Sequence, residues 1–204
     1  MFEIAGYNRI FLIGSSNATE IIRGPIIQDS IGRENEYDVM CITQGGLSIN
    51  KHSEKSYLRH IPSPSEDVRL IIVVGSNEYE NHEYELFKTN YVRSLMHLFK
   101  LGFHNHQIFA ILPMIRGKEI SLHEEQIKRM KELHFGLKFL GIASKCWHDL
   151  LPADFKSKRK IFGKNDLKKG QYVHYSPKAR EYLSEFLEKE LIPKFDDIRK
   201  ENLM

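Results

Sequence analysis

The sequence predicts an α/β protein: a three-layer α/β/α sandwich around a five-stranded parallel sheet, formed as one domain over residues 1–204. Three observations predict it. Short apolar runs without a polar break, Ile10-Phe11-Leu12-Ile13 and Leu70-Ile71-Ile72-Val73-Val74, read as strands covered on both faces. Between such runs lie longer segments whose apolar residues recur at helical spacing, and strands alternating with helices imply a parallel sheet with helices on both sides. The first three runs each close on glycine, at Gly14, Gly45-Gly46 and Gly75, where a tight turn is allowed.

Each element follows from its residues. The first strand, Ile10–Ile13, stops at Gly14, and Ser15, Ser16 and Asn17 favour the start of a helix. From Asn17 to Ile31 the pattern is helical but broken at Gly24-Pro25, since proline removes a helix hydrogen bond and clashes with the preceding turn. Tyr37–Thr43 is a second strand, Ser48–His60 a modest helix, and Ile61–Ser65, with its two prolines, a loop. Val68–Val74 is the strongest strand. Glu83–Leu101 is an amphipathic helix with Leu86, Phe87, Val92, Leu95, Met96 and Phe99 inward, ended by Gly102.

Gln107–Leu112 is a fourth strand, stopped by Pro113. Ser121 opens a helix in which Glu124 completes a capping box and Ile127, Met130 and Leu133 point inward. Leu137–Ala143 is expected as a fifth, weaker strand and Ser144–Tyr172 as irregular chain. Ser176-Pro177 opens a last helix, proline standing in its first turn, with Tyr182, Leu183, Phe186, Leu187 and Leu191 as its apolar stripe.

Composition narrows the classes of function. Hydrophobic residues make up 41% and charged residues 28%, as in an ordinary globule. No apolar run approaches the roughly 20 residues that span a bilayer, and the first residues lack the basic start and apolar core of a leader, so no membrane partner is expected. The two cysteines, Cys41 and Cys146, lie in or beside apolar stretches, which implies a reducing, cytoplasmic setting. The net charge of +3 is too mild to imply nucleic acid by itself; its distribution matters more.

None of the ten histidines has a partner at metal-ligand spacing, and Walker and dinucleotide glycine motifs are absent, so no metal and no cofactor are expected. Cys146-Trp147-His148 reads as core packing, because a thiol nucleophile and its base rarely meet by sequence adjacency.

Ligands of open α/β sheets bind beyond the carboxyl ends of the strands, where the glycine turns fall. Ester hydrolysis there needs a nucleophile, a base and donors for the oxyanion. Ser16 is the candidate nucleophile. The N–H groups of Ser16 and Gly46 and the side-chain amide of Asn77 are candidate donors. His174, just before Ser176-Pro177, is the candidate base. Against this, Ser16 and Asn17 also suit a helix cap, Asn77 suits a turn tied to its own backbone, and His174 suits an exposed loop.

In these residues the sequence resembles the SGNH hydrolases, also called GDSL-like esterases and lipases. Gly14-Ser15-Ser16 stands where that superfamily has Gly-Asp-Ser; Gly46 is its second-block glycine. Gly75-Ser76-Asn77-Glu78 stands for Gly-x-Asn-Asp, and Gln171-Tyr172-Val173-His174 for Asp-x-x-His. The blocks come in the family's order and span most of the chain. The resemblance implies a flavodoxin-like sheet topology and a catalytic set of Ser16, Gly46, Asn77 and His174. Two departures stand out: Ser15 replaces the first-block Asp, and Gln171 replaces the carboxylate that orients and charges the histidine. Asp149, Asp154 and Asp166 are the nearby carboxylates available as substitutes.

A basic stretch precedes the last helix. Lys156, Lys158, Arg159, Lys160, Lys164, Lys168 and Lys169 are opposed only by Asp166 and interleaved with Ile161, Phe162 and Tyr172, while Lys178 and Arg180 follow on the helix. Cations beside aromatics suit a surface that tracks phosphates and stacks bases; the same run also suits a solvated loop. Eroded blocks together with this stretch resemble the OSK domains of germ-plasm proteins, a branch with a degraded catalytic apparatus that binds RNA, and the esterase-like domains of retroelement proteins. Two functions are therefore expected in competition. The first is a degenerate SGNH-fold module that binds RNA through this surface, with protein partners also open to it. The alternative is a carboxylester hydrolase using Ser16 and His174.

Overall fold

The computed structural model describes residues 9–14, 38–43, 61–73, 84–112, 123–155, 161–162 and 175–204. Five strands, β1 (Arg9–Gly14), β2 (Asp38–Thr43), β3 (Val68–Val73), β4 (Ile108–Leu112) and β5 (Ala143–Cys146), form one sheet in the order β2-β1-β3-β4-β5. Every pairing is parallel. The helices are α1 (Tyr84–Leu101), α2 (His123–Phe139), the single turn α3 (Trp147–Leu150), α4 (Pro177–Phe186) and α5 (Phe195–Leu203). The expected helices at 17–31 and 48–60 lie outside the described residues.

Adjacent residues of β5 show that both faces of the sheet are covered, because successive side chains of a strand point to opposite sides. The Ser144 hydroxyl meets the His134 ring of α2 at 2.7 Å. The next residue, Lys145, places its ammonium 4.9 Å from the Phe186 ring of α4. Helices α2 and α4 therefore lie on opposite faces, and the three layers follow. Phe109 of β4 shares the α4 side, with Phe186 and Phe195 of α5 at ring-centroid distances of 6.5 and 6.1 Å. Covered on both faces, β1, β3 and β4 bury nearly every side chain they carry.

Arg69 is the charged residue buried in β3. Its guanidinium donates to the carbonyls of Glu66 (2.7 Å) and Val68 (3.1 Å), pairs with Asp196 of α5 at 3.3 Å, and lies over the Phe195 ring. A buried charge persists only when paired and hydrogen-bonded in this way, and here it ties the last helix to the sheet. Gln107, at the amino end of β4, does similar work without charge. Its Nε2 donates to the carbonyls of Ser65 and Val68, and its Oε1 accepts the N–H of His104.

Three sequence expectations need correction. The fifth strand is Ala143–Cys146, not Leu137–Ala143. Leu137 continues the buried stripe of Met130 and Leu133, so α2 runs on to Phe139. It stops where Gly141, at φ +69°, lets the N–H of Ile142 reach the carbonyl of Leu137 and its own N–H reach that of Lys138. Gly102 ends α1 with the same pair of bonds, as expected.

The inward face of α1 is Tyr91, Leu95 and Leu98, together with Asn90 and Ser94, while Val92 and Met96 are exposed. The last helix is not continuous: α4 ends at Phe186, a π-helical turn covers Leu187–Leu191, and α5 begins at Phe195. Leu187 and Leu191, the first and last residues of that turn, are both buried.

Candidate active site

The register builds a common rim. Gly14 lies opposite Thr43 on one side and Val73 on the other, so β1, β2 and β3 finish level. The last residues of β4 and β5, Leu112 and Cys146, also face each other. From β1 the chain moves outward to β2 and then returns to β3 on the other flank. That reversal makes β1/β3 the switch point, where an open parallel sheet leaves a crevice for ligands. Ser16, Gly46 and Asn77 follow these strand ends in sequence; they, like His174 and Gln171, lie outside the described residues.

At the β5 end of the rim the described chain carries an aromatic anchor. Cys146 ends the strand as a buried free thiol, and burial pushes its pKa up to about 12. Trp147 follows with 0% exposure. Its ring stacks on Tyr175 with centroids 3.8 Å apart and planes 14° from parallel. Its Nε1–H donates to the carbonyl of Ala179 in α4 at 3.2 Å, satisfying the one polar group of a buried indole.

Tyr175 also forms an antiparallel bridge with Phe162, and the next N–H, of Ser176, donates to the carbonyl of Ile161 at 2.6 Å. The Ser176 hydroxyl accepts the N–H of Ala179 and so caps α4, with Pro177 in its first turn. The residue after His174 is thus fixed by packing on both sides.

A second serine and histidine do meet within hydrogen-bond distance: Ser144 and His134, at 2.7 Å. The pair is not a candidate. Ser144 is 1% exposed beneath α2, so no ester carbonyl can reach its hydroxyl. Burial holds the His134 pKa below its usual value, while the nearby charge of Asp149 acts the other way. Asp149 also acts on Cys146, raising its pKa. Asp154 is exposed in a short 3-10 turn, and Asp166 lies outside the described residues.

Among the basic residues, the structure describes Lys178 and Arg180. The Lys178 ammonium donates to Glu181 at 2.7 Å and lies 5.3 Å from the centre of the Tyr182 ring; the bond to Glu181 raises its pKa. Arg180 is half-buried. Lys156, Lys158, Arg159, Lys160, Lys164, Lys168 and Lys169 lie outside the described residues. The anchor built from Trp147 and Tyr175 was not foreseen, since no local pattern joins these positions; two aromatics flanking the late histidine were the only trace.

No family profile and no curated protein matches the chain in sequence. Solved structures do match in fold. A protein assigned to the SGNH hydrolases, from Slackia heliotrinireducens, superposes with a TM-score of 0.56 at 15% identity, covering 91% of this chain and 99% of the other. A protein from Streptococcus pneumonia, assigned as a platelet activating factor, gives 0.60 at 13% identity, covering 93% and 86%. The psychrotrophic esterase EstA of Pseudoalteromonas sp., in a form inhibited by monoethylphosphonate, gives 0.56 at 11% identity, covering 91% and 99%. The chain shares its fold with these three proteins.

Proposed function

We propose that this chain is a serine carboxylester hydrolase whose site lies at the carboxyl rim of the sheet. The observation that carries the reading is the level finish of β1, β2 and β3 at the switch point, with the chain next to His174 anchored at the β5 end of the same rim. The fold shared with an esterase that a phosphonate inhibits supports it.

In this reading the Ser16 hydroxyl attacks the ester carbonyl carbon while His174 accepts its proton. The N–H groups of Ser16 and Gly46 and the Asn77 amide hold the oxyanion. The tetrahedral intermediate expels the alcohol, which takes the proton from His174. Water, deprotonated by the same histidine, then releases the acid and regenerates Ser16. Gln171 stands where a carboxylate would stabilise the imidazolium. In a serine protease the corresponding Asp→Asn change lowers kcat by about 10⁴, so turnover here is expected to be slow unless another carboxylate serves.

The RNA-binding reading rests on the basic stretch in the sequence. Of the cations that follow it on α4, Lys178 is engaged by Glu181 and Arg180 is half-buried, and no observation favours RNA over ester chemistry. The test is hydrolysis of a short-chain aryl ester by the wild type and by Ser16→Ala. Turnover that disappears in the variant supports the proposal. Activity retained by Ser16→Ala, or a wild type that neither turns over nor reacts with a phosphonate, overturns it.

A further inference from the structure

The outward line of α2 is built unlike a solvated helix surface. Met130, Leu133 and Leu137 face the sheet, and directly opposite them stand Phe135 and Phe139, 62% and 77% exposed. Their rings meet edge to face at 4.9 Å, and Leu140, 41% exposed, follows. The Leu140 carbonyl accepts a hydrogen bond from Asn105, just before β4. This end of the helix therefore lies at the amino edge of the sheet, away from the candidate active site.

We propose that this face docks on an anionic lipid surface. Three features favour that occupant. The aromatic pair sits on the crest of a helix, a convex shape that enters a headgroup layer more readily than it fits a flat protein face. Lys128, Lys131 and Lys138 accompany it against Glu132, while the helix's other two glutamates, Glu124 and Glu125, stand in its first turn, and these lysines make no ion pair among the described residues. Apolar side chains flanked by lysines are what holds an interfacial helix on anionic lipid. The exposed apolar area is also small: three partly exposed side chains present on the order of 350 Å², given about 150–250 Å² for a whole aromatic one. A stable protein pair needs roughly 800 Å² per partner.

The sequence led to no membrane partner because it lacks a spanning run and a leader, and among the described residues no helix is long and apolar enough to cross a membrane. Lying on a surface needs no such length. The inference is independent of the chemistry proposed for Ser16.

The test is sedimentation of the full chain with vesicles of phosphatidylcholine containing about a third phosphatidylserine, beside vesicles of phosphatidylcholine alone. The wild type is expected to bind the anionic vesicles, and more weakly as salt rises. Phe135→Ser/Phe139→Ser is expected to lower partitioning at least about tenfold, with circular dichroism unchanged because both rings are exposed. Lys131→Glu/Lys138→Glu is expected to act likewise without touching the rings. No binding by the wild type, or binding indifferent to both variants, overturns the proposal. So does a dimer in solution that Phe139→Ser dissociates, which would assign the face to a second copy.

Discussion

Trp147 is a side chain at the rim whose removal should cost the fold heavily. Its ring is fully buried, stacked on Tyr175, and bonded to the carbonyl of Ala179. Trp147→Ala deletes the whole ring, and buried aromatic-to-alanine changes cost about 3–5 kcal/mol. Against a typical total of about 5–15 kcal/mol this is a large share. For a chain of this size each kcal/mol moves Tm by about 2–4 °C, so Tm should fall by roughly 6–20 °C.

Trp147→Phe separates the contributions. A ring remains to stack on Tyr175, but the Ala179 carbonyl loses its donor and part of the volume empties, for about 1–3 kcal/mol. Trp147 is the only tryptophan, so unfolding of the variants is followed by far-UV circular dichroism, while indole fluorescence reports on this junction in the wild type. A loss below about 1 kcal/mol in Trp147→Ala would refute the reasoning, because no buried tryptophan is removed that cheaply. Under the proposed function, Trp147→Phe should also slow phosphonate labelling at temperatures where the variant remains fully folded.

Other predictions follow from single positions. Gly141→Ala should destabilise by about 1–2 kcal/mol or more, because the residue sits at φ +69° and a Cβ would stand 2.8 Å from Asn105 Nδ2. Gly136→Ala, inside α2 with open space around its Cβ position, should stabilise by about 0.5–1 kcal/mol; urea midpoints of equal sign would contradict the pair. Burial holds His134 below its unfolded pKa of 6.5, so the unfolded chain binds the proton more readily. Stability should therefore fall as pH drops through 6.5 and level off below the folded value, and His134→Gln should flatten that fall. The Cys146 thiol, pushed up to about 12, should resist alkylation in the native state and react in urea, as read by peptide mass.

The strands β1, β3 and β4 were legible because cover on both faces demands uninterrupted apolar runs, and the sequence has them. β5 was not. It is short, it carries Ser144 and Lys145, and the apolar run before it belongs to the end of α2. On α1, hydrophobicity alone puts Val92 and Met96 inward, whereas the packed face admits Asn90 and Ser94 beside Tyr91 and Leu95. Helix ends were legible where Gly102 marks a left-handed residue, and Gly141 carries the same signal within a run that also suits a strand. Of the candidate site, the ordered blocks gave the residues and the sheet order gives the rim. The stack of Trp147 on Tyr175 joins distant parts of the chain, and only the fold reveals it.

The most direct test of the account is labelling of the purified protein with a fluorophosphonate, followed by peptide mass spectrometry. A phosphonyl adduct is expected on the peptide containing Ser16, lost in Ser16→Ala and strongly slowed in His174→Ala. An unlabelled Ser16, or an adduct on another serine that persists in Ser16→Ala, would contradict it.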